Sequence, residues 1–386
     1  MSNDKEPTDF QSPVKILMVA SLASSLRNFR GNLILEMINR GHEVHVAAPN
    51  LFKDNASIEW LEKAGAIAHN IYLSRASLSP FNELRTIVSL LQIMLKVRPE
   101  LFFGYTIKPV IWGLIVSSWC KIPQRVGLIS GLGYTFSSKK NKTFKLISYI
   151  SQLLYRTAIR RSTLVFFQNP DDLNVFRDLG IISPVQKVAL INGSGVDLNF
   201  FAEQPMPPLP LRCLFIGRLL DDKGVREYAE TAKIIGESYA DVHFTLVGGL
   251  NERPGSISAQ EVNSWVLDKN LRWEGELDDV RTAITDSHLL VLPSYREGTP
   301  RAVLEAMAMG RPVIVTDVPG CRETVIDGYN GFKVPVRDVA GIVRSVEKFI
   351  HTPENLMKMG KAGRNLAIRK YDVHKVNKVM VSKMKL

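Results

Sequence analysis

Residues 289–317 read LLVLPSYREGTPRAVLEAMAMGRPVIVTD, and the order of residue types in this stretch decides the fold. Residues 289–292 are an unbroken apolar run of strand length, the pattern of a parallel strand buried on both faces. Thr299 stands where a helix N-cap belongs, and Pro300 suits the first helical turn, where no amide donor is needed. A helix of small residues follows (Ala302, Ala306, Ala308, Gly310), and then a second apolar strand from Arg311 to Asp317. Strand, turn, helix and strand in this order build a parallel α/β sheet. The turn leaves the Gly298 and Thr299 amides at a helix N-terminus, where unpaired N–H groups and the positive dipole end suit an anion. Glu297 precedes the helix and Glu305 lies inside it, so both carboxylates can border one crevice; the alternative is a solvated pair on an ordinary amphipathic helix.

The same alternation begins at residue 14. Strands are predicted near 14–21, 43–48, 68–73, 101–105, 124–129, 163–168 and 187–192, with helical patterns between them. The run QPMPPLP at 204–210 holds four prolines and reads as a semi-rigid linker. A second alternating series follows, with strands at 212–218, 242–248, 271–275, 288–292 and 312–316. The expected architecture is α/β, two Rossmann-like doubly wound domains: residues 1–203 with a C-terminal helix 366–386 crossing back, and residues 211–365. Ligands of open α/β sheets bind beyond the C-terminal ends of the strands, so a cleft between the two domains is expected.

With 386 residues and 45% hydrophobic content the chain can bury a core in each domain. Its first thirteen residues carry acids and a proline and no apolar core, so they do not read as a secretory signal, and a cytoplasmic location is expected. Cys120, Cys213 and Cys321 are odd in number and widely spaced, which suggests neither a disulfide framework nor a metal site. No Gly-x-Gly-x-x-Gly follows the first strand, which counts against a dinucleotide enzyme.

The net charge of +11 is concentrated in the first half, where residues 1–205 hold 23 Lys/Arg against 15 Asp/Glu. No acid occurs between Glu100 and Asp171, an interval that contains ten basic residues, among them Lys108, Lys139, Lys140, Lys142 and Lys145. A one-signed surface of this kind calls for an anionic partner: nucleic acid, lipid headgroups or a phosphorylated substrate. Trp112, Trp119, Phe136, Phe144, Tyr149 and Tyr155 interleave with the basic series, as on a surface that lies against an anionic membrane; core aromatics beside a solvated basic face are the other reading. No stretch is apolar for long enough to span a bilayer. No nucleic-acid recognition motif accompanies the charge.

Glu297 and Glu305, with seven residues between them inside EGTPRAVLEAMAMGRPVI and followed by VPGCRETVIDGYNGFKVP at 318–335, resemble the paired-glutamate signature of the retaining family 4 glycosyltransferases of GT-B fold. Arg218 and Lys223, in GRLLDDKG at 217–224, match that family's Gly-Arg…Lys-Gly motif. The resemblance implies a UDP-sugar donor whose diphosphate is neutralised by Arg218 and Lys223 without a metal. It assigns Glu305 to the nucleotide ribose, Glu297 to the transferred sugar, the Gly298 and Thr299 amides and Gly217 to sugar or phosphate, and the backbone near Trp273, Glu274 and Gly275 to the base.

Retention would follow from front-face attack with no protein nucleophile. The segments GYTIKP at 104–109 and GLGY at 131–134 are similar to a subgroup acting on undecaprenyl-diphosphate-linked sugars for O-antigen, capsule or N-glycan chains. Tyr105, Thr106 and Lys108 then belong to the acceptor side. Arg27 and Arg30, in a loop where many family members carry glycines, are assigned to an acceptor phosphate, or else are solvated helix residues. An enzyme peripheral on the inner face of the plasma membrane is the expected picture. The rivals are a UDP-N-acetylglucosamine 2-epimerase-like enzyme of the same fold, which would lack the glutamate motif, and a non-catalytic sugar-nucleotide-binding protein, which donor turnover would exclude.

Overall fold

The computed structural model describes residues 12–74, 79–132, 142–251, 255–267 and 271–386. Its contacts divide the chain into two units: Met1–Phe167 with Leu173–Ile191 and Asn377–Leu386, and Gln168–Asp172 with Asn192–Val376.

The first unit is built on seven parallel strands: β1 (Lys15–Val19), β2 (Glu43–Ala48), β3 (Ile67–Asn70), β4 (Leu101–Tyr105), β5 (Gln124–Ile129), β6 (Leu164–Phe167) and β7 (Val188–Leu190). Their spatial order is β3-β2-β1-β4-β5-β6-β7. Ile16 pairs with Val44 on one side and with Leu101 on the other, so the order reverses beside β1. The central strands β1, β4 and β6 are almost wholly buried apolar runs, as expected of parallel strands covered on both faces, while the edge strands β3 and β7 are partly exposed.

The second unit carries six parallel strands: β8 (Arg212–Ile216), β9 (His243–Val247), β10 (Leu271–Trp273), β11 (Leu289–Leu292), β12 (Val313–Thr316) and β13 (Gly331–Val334). They lie in the order β10-β9-β8-β11-β12-β13. Leu290 pairs with Leu214, so β11 and β8 are neighbours at the point of reversal. Whatever leaves the C-terminal end of β8 therefore meets whatever leaves β11, which is where open α/β sheets bind ligands.

Twelve of the thirteen strands among the described residues coincide with strands expected from the sequence, with ends shifted by a few residues. β13 was missed. Its four residues open on Gly331 and place Lys333 between Phe332 and Val334, so no apolar run announces them.

The proline run is not a linker between units. The chain enters the second unit at Asn192, and residues 204–208 are fastened to it by donors that reach their carbonyls. Arg311, fully buried, donates from Nη1 to Gln204 O (2.9 Å) and Met309 O (3.1 Å), from Nη2 to Pro205 O (2.9 Å) and Thr285 O (3.0 Å), and from Nε to Ile284 O (3.1 Å). Arg364 donates to Phe201 O (3.0 Å), Leu198 O (3.3 Å) and Ala308 O (2.5 Å). Extended proline-rich backbone forms no internal hydrogen bonds, so its carbonyls are open to such donors. Nor does one helix run from residue 366: the helix Glu354–Leu366 passes through a π turn at Ala367–Tyr371, and a new helix, Val373–Met384, follows Asp372. Only Asn377–Leu386 belongs to the first unit.

His288, fully buried beside the start of β11, completes the anchoring: Nδ1 accepts from Arg212 N–H (3.0 Å) and Nε2–H donates to Pro207 O (3.0 Å). Burial, aided by Arg212, lowers its pKa to about 4, so the folded ring is neutral where an unfolded imidazole begins to charge near pH 6.5. Between those values the unfolded chain binds the extra proton. Stability therefore falls as pH drops from about 6.5 to about 4, by up to about 1.4 kcal/mol per pH unit for this group. His288→Gln is expected to flatten that slope in urea titrations at a series of pH values; an unchanged slope would show that His288 is not its source.

Candidate active site

Two connections meet at the C-terminal edge of the second sheet, one after β8 and one after β11. After β8, Gly217 N–H donates to Val247 O (3.0 Å), Arg218 is exposed, and residues Asp221–Lys223 make a single 3-10 turn. Gly224 then adopts φ +70°, and a Cβ there would lie 2.2 Å from Pro293 O. Only glycine lets the Lys223 turn approach the exit of β11 so closely. Tyr295 N–H donates to Asp222 O (2.8 Å) across the same junction.

After β11, Glu297 is held on three sides. Its N–H donates to Pro319 O (3.0 Å), while its Oε1 accepts from Ser294 Oγ (2.8 Å) and from Lys223 Nζ (2.5 Å). The Lys223 and Glu297 side chains are only 13% and 15% exposed, so water screens the pair weakly. Gly320, at φ +84°, presses the following loop against this turn; a Cβ there would lie 2.3 Å from Glu297 O. The Thr316 hydroxyl, at the end of β12, donates to Ser294 O.

Gly298 is buried, and its carbonyl accepts from Asn169 Nδ2 (2.9 Å); Asn169 also donates to Asp172, which pairs with Arg296. The helix Arg301–Ala308 is capped one residue later than expected. Pro300, with φ −71° and ψ 115°, is its N-cap. Thr299 does not cap: its hydroxyl donates to Gly298 O (2.9 Å) and Gln168 O (3.3 Å). Among the described residues neither the Gly298 nor the Thr299 N–H has a hydrogen-bond acceptor. Glu305, 7% exposed on the first full turn, pairs with Arg301 at 2.7 Å. Glu274 N–H closes the sheet by donating to Leu246 O (3.0 Å), its side chain lying 3.4 Å from Arg272, while Trp273 Nε1–H donates to Gly248 O (2.9 Å). Lys223, Glu297, Gly298 and Thr299 are thus brought together by the sheet topology. Cys321, fully buried, has its thiol pKa raised, first by burial and next by Glu297.

In the first unit the predicted acceptor residues have partners of their own. Arg30 is 3% exposed and stacks 5.3 Å above the Tyr105 ring, so it is neither a solvated residue nor one free to turn to a phosphate in solvent. Tyr105 is buried, its hydroxyl 2.9 Å from Ser25 Oγ, and burial pushes its pKa up to about 12. Thr106 has φ +70° and its Oγ1 hydrogen-bonds Ser21 Oγ at 2.6 Å. Lys108 forms an ion pair with Glu83, whose other oxygen accepts from Trp112 Nε1 (2.5 Å). Arg27 is half-buried, with Nε 3.2 Å from Asn28 Oδ1.

A cavity of about 590 Å³ opens beside these residues at the ends of β1 and β2, lined among others by Ser21, Asn50, Lys53 and Ser74. Asn50 and Lys53 were not singled out from the sequence; their place just after a buried strand was the available signal. Gly133, Tyr134, Phe136, Lys139 and Lys140 lie outside the described residues, as do the side chains of Lys142, Phe144 and Lys145.

Two family models cover the chain in tandem. One described as glycosyl transferase 4-like matches residues 15–169, and one described as glycosyl transferases group 1 matches residues 210–352. The N,N'-diacetylbacillosaminyl-diphospho-undecaprenol α-1,3-N-acetylgalactosaminyltransferase of Campylobacter jejuni is 25% identical over 373 residues, 93% of this chain and 95% of that protein. A UDP-Gal:α-D-GlcNAc-diphosphoundecaprenol α-1,3-galactosyltransferase of Escherichia coli is 26% identical over 78% of each chain. Among solved structures, Anabaena Alr3699/HepE in complex with UDP superposes with a TM-score of 0.75 at 17% identity, covering 96% of this chain and 99% of that one. Sucrose-phosphate synthase from Thermosynechococcus elongatus gives a TM-score of 0.78 at 16% identity, covering 96% and 98%. The two sheets, the signature turn they expose and these likenesses agree, and the chain belongs to the GT-B glycosyltransferases of the group 1 and 4-like families.

Proposed function

We propose that this glycosyltransferase moves a hexose or N-acetylhexosamine from a UDP-sugar to a sugar on an undecaprenyl-diphosphate carrier, with retention and without a metal. The observation that carries the reading is the meeting of Lys223 with Glu297 at 2.5 Å beside the Gly298 and Thr299 amides. A cation, a carboxylate and two donor N–H groups suit a leaving diphosphate and a sugar whose ring gains positive charge. Arg218 and Lys223 take the diphosphate, Glu297 faces the sugar, and Glu305 accepts the ribose hydroxyls. The bond from C1 to the phosphate oxygen breaks as C1 bonds to the acceptor oxygen on the same face, and the acceptor's proton passes to the leaving phosphate. The lipid carrier is supported by the names of both the Campylobacter and the Escherichia relatives, and the UDP donor by that of the Escherichia relative. Incubating the purified protein with a panel of UDP-sugars and undecaprenyl-diphosphate sugars tests the reading: a glycosylated lipid is expected, undiminished by EDTA, and no product from any pair would overturn it.

The enzyme works at the inner face of the plasma membrane as a peripheral protein. None of the described helices is long and apolar enough to cross a bilayer. The helix Lys142–Ile159, which contains no acid, exposes Leu146, Tyr149, Ile150 and Leu153, and the helix Pro80–Val97 exposes Phe81, Leu84, Val88 and Leu95. Apolar stripes of this kind beside an acid-free basic interval suit the boundary of an anionic bilayer. Changing Lys139, Lys140, Lys142 and Lys145 to Glu is expected to lower partitioning onto anionic vesicles by a factor on the order of 10² to 10³, at about 1 kcal/mol per residue, with UDP binding intact. Wild-type vesicle binding that is absent, or indifferent to salt, would refute the membrane assignment.

A further inference from the structure

Behind the Lys223–Glu297 contact lies a second link between the same two connections. Tyr295 Oη donates to Glu227 Oε1 at 2.5 Å. Glu227 sits in the first turn of the helix Val225–Ser238, four residues after Lys223, and Tyr295 stands two residues before Glu297. With the Tyr295 N–H to Asp222 O bond (2.8 Å), the two connections are joined at three points, and the Arg337 guanidinium covers the outer face of the Tyr295 ring at 4.8 Å.

Glu227 is an expensive residue in this place. It is 9% exposed, and its Oε2 is buried without a hydrogen-bond partner among the described residues. An apolar side chain of similar volume would fill the space without desolvating a carboxylate. The half-satisfied carboxylate does one thing a hydrocarbon cannot, which is to hold the Tyr295 hydroxyl in one place.

We infer that Tyr295 and Glu227 are a pair of positioning residues that set the register of Lys223 against Glu297, and so the alignment of diphosphate and sugar in the donor site. The inference rests on the proposed donor chemistry of Lys223 and Glu297. Neither Tyr295 nor Glu227 is assigned to the substrate itself; they act by fixing the two residues that are. Displacing reacting groups by about 1 Å can cost about 10²-fold, and loss of one of three links is expected to cost less.

The test is a comparison of Tyr295→Phe, Glu227→Gln and the double variant Tyr295→Phe/Glu227→Leu, with donor KM, kcat and melting temperature measured for each. Tyr295→Phe keeps the ring and is expected to lower kcat about 10-fold with little change in donor KM. Glu227→Gln keeps an acceptor oxygen and is expected to stay within about 2-fold of wild type. The double variant replaces the polar pair by packed hydrocarbon, and its melting temperature is expected to hold or rise while kcat stays about 10-fold down. A purely structural pair gives the opposite pattern, a lower melting temperature with wild-type kcat, and that result would overturn the inference. Wild-type protein that turns over no UDP-sugar overturns the functional reading and this inference together; an active wild type with a fully active double variant overturns this inference alone.

Discussion

Lys223→Ala is expected to cut transfer by about 10²-fold or more, the scale of removing one charge-stabilising group from a water-poor site. The effect has two sources. The variant removes a cation from the leaving diphosphate, and it also leaves the Glu297 carboxylate, 15% exposed, with Ser294 Oγ as its one remaining side-chain donor among the described residues. A carboxylate that loses its ion-pair partner in such a place costs about 1–3 kcal/mol, so the folded protein should also melt earlier. Glu297→Gln separates the two sources, because the amide keeps the shape and removes the charge. Its kcat is expected to fall while donor KM holds, since contacts to the sugar strengthen in the transition state. Glu305→Gln should instead mainly raise donor KM, as ribose contacts persist through the reaction. Equal and mild effects of both glutamine variants would mean that the pair is an ordinary feature of a helix and its preceding turn, and unchanged UDP affinity in Lys223→Ala would remove Lys223 from the site.

Arg311→Met is expected to destabilise the second unit by roughly 3–5 kcal/mol, the range for breaking a buried, fully satisfied charged network. All five N–H groups of this guanidinium have carbonyl partners, on residues 204, 205, 284, 285 and 309. Methionine fills much of the volume and leaves those carbonyls short of a donor. At about 2–4 °C per kcal/mol for a unit of this size, the melting temperature should drop by roughly 10 °C. Arg311→Lys should recover little, because an ammonium has three donors and no planar fork. UDP affinity at low temperature is expected to remain near wild type, since no atom of Arg311 is placed at the donor site; a loss of affinity without a loss of melting temperature would contradict that placement.

How far the sequence reveals this molecule depends on the distance over which each feature is decided. Buried parallel strands are local, and runs such as Leu289–Leu292 or Leu101–Tyr105 announce themselves by composition. The neighbourhood of Lys223 and Glu297 was legible too, because both lie just after strands at the reversal point of a doubly wound sheet. The N-cap was misread by one residue because Thr299 is a good capping residue in isolation, while here its hydroxyl is occupied by Gly298 and Gln168 carbonyls.

Pairings across long separations were illegible. Arg30 reads as a phosphate ligand or a solvated helix residue until the fold buries it against Tyr105, nothing near Lys108 in the sequence announces its pairing with Glu83, and the proline run reads as a linker until Arg311, more than a hundred residues on, binds its carbonyls. Composition names the donors and acceptors available but not which of them the fold brings together.

The fastening of residues 198–207 by Arg364, Arg311 and His288 bears on how such enzymes can be recombined. A chimaera that joins this second unit to a foreign first unit at the proline run would import Arg311 and Arg364 without the carbonyls of residues 198–205 to which they were matched. The exchangeable cassette begins instead at Asn192 and needs a compatible copy of Gln168–Asp172, whose Asn169 and Asp172 grip Gly298 and Arg296. The second unit is portable only together with that short piece, which the chain contributes from well before Asn192, so laboratory shuffling should succeed most often between parents that share it.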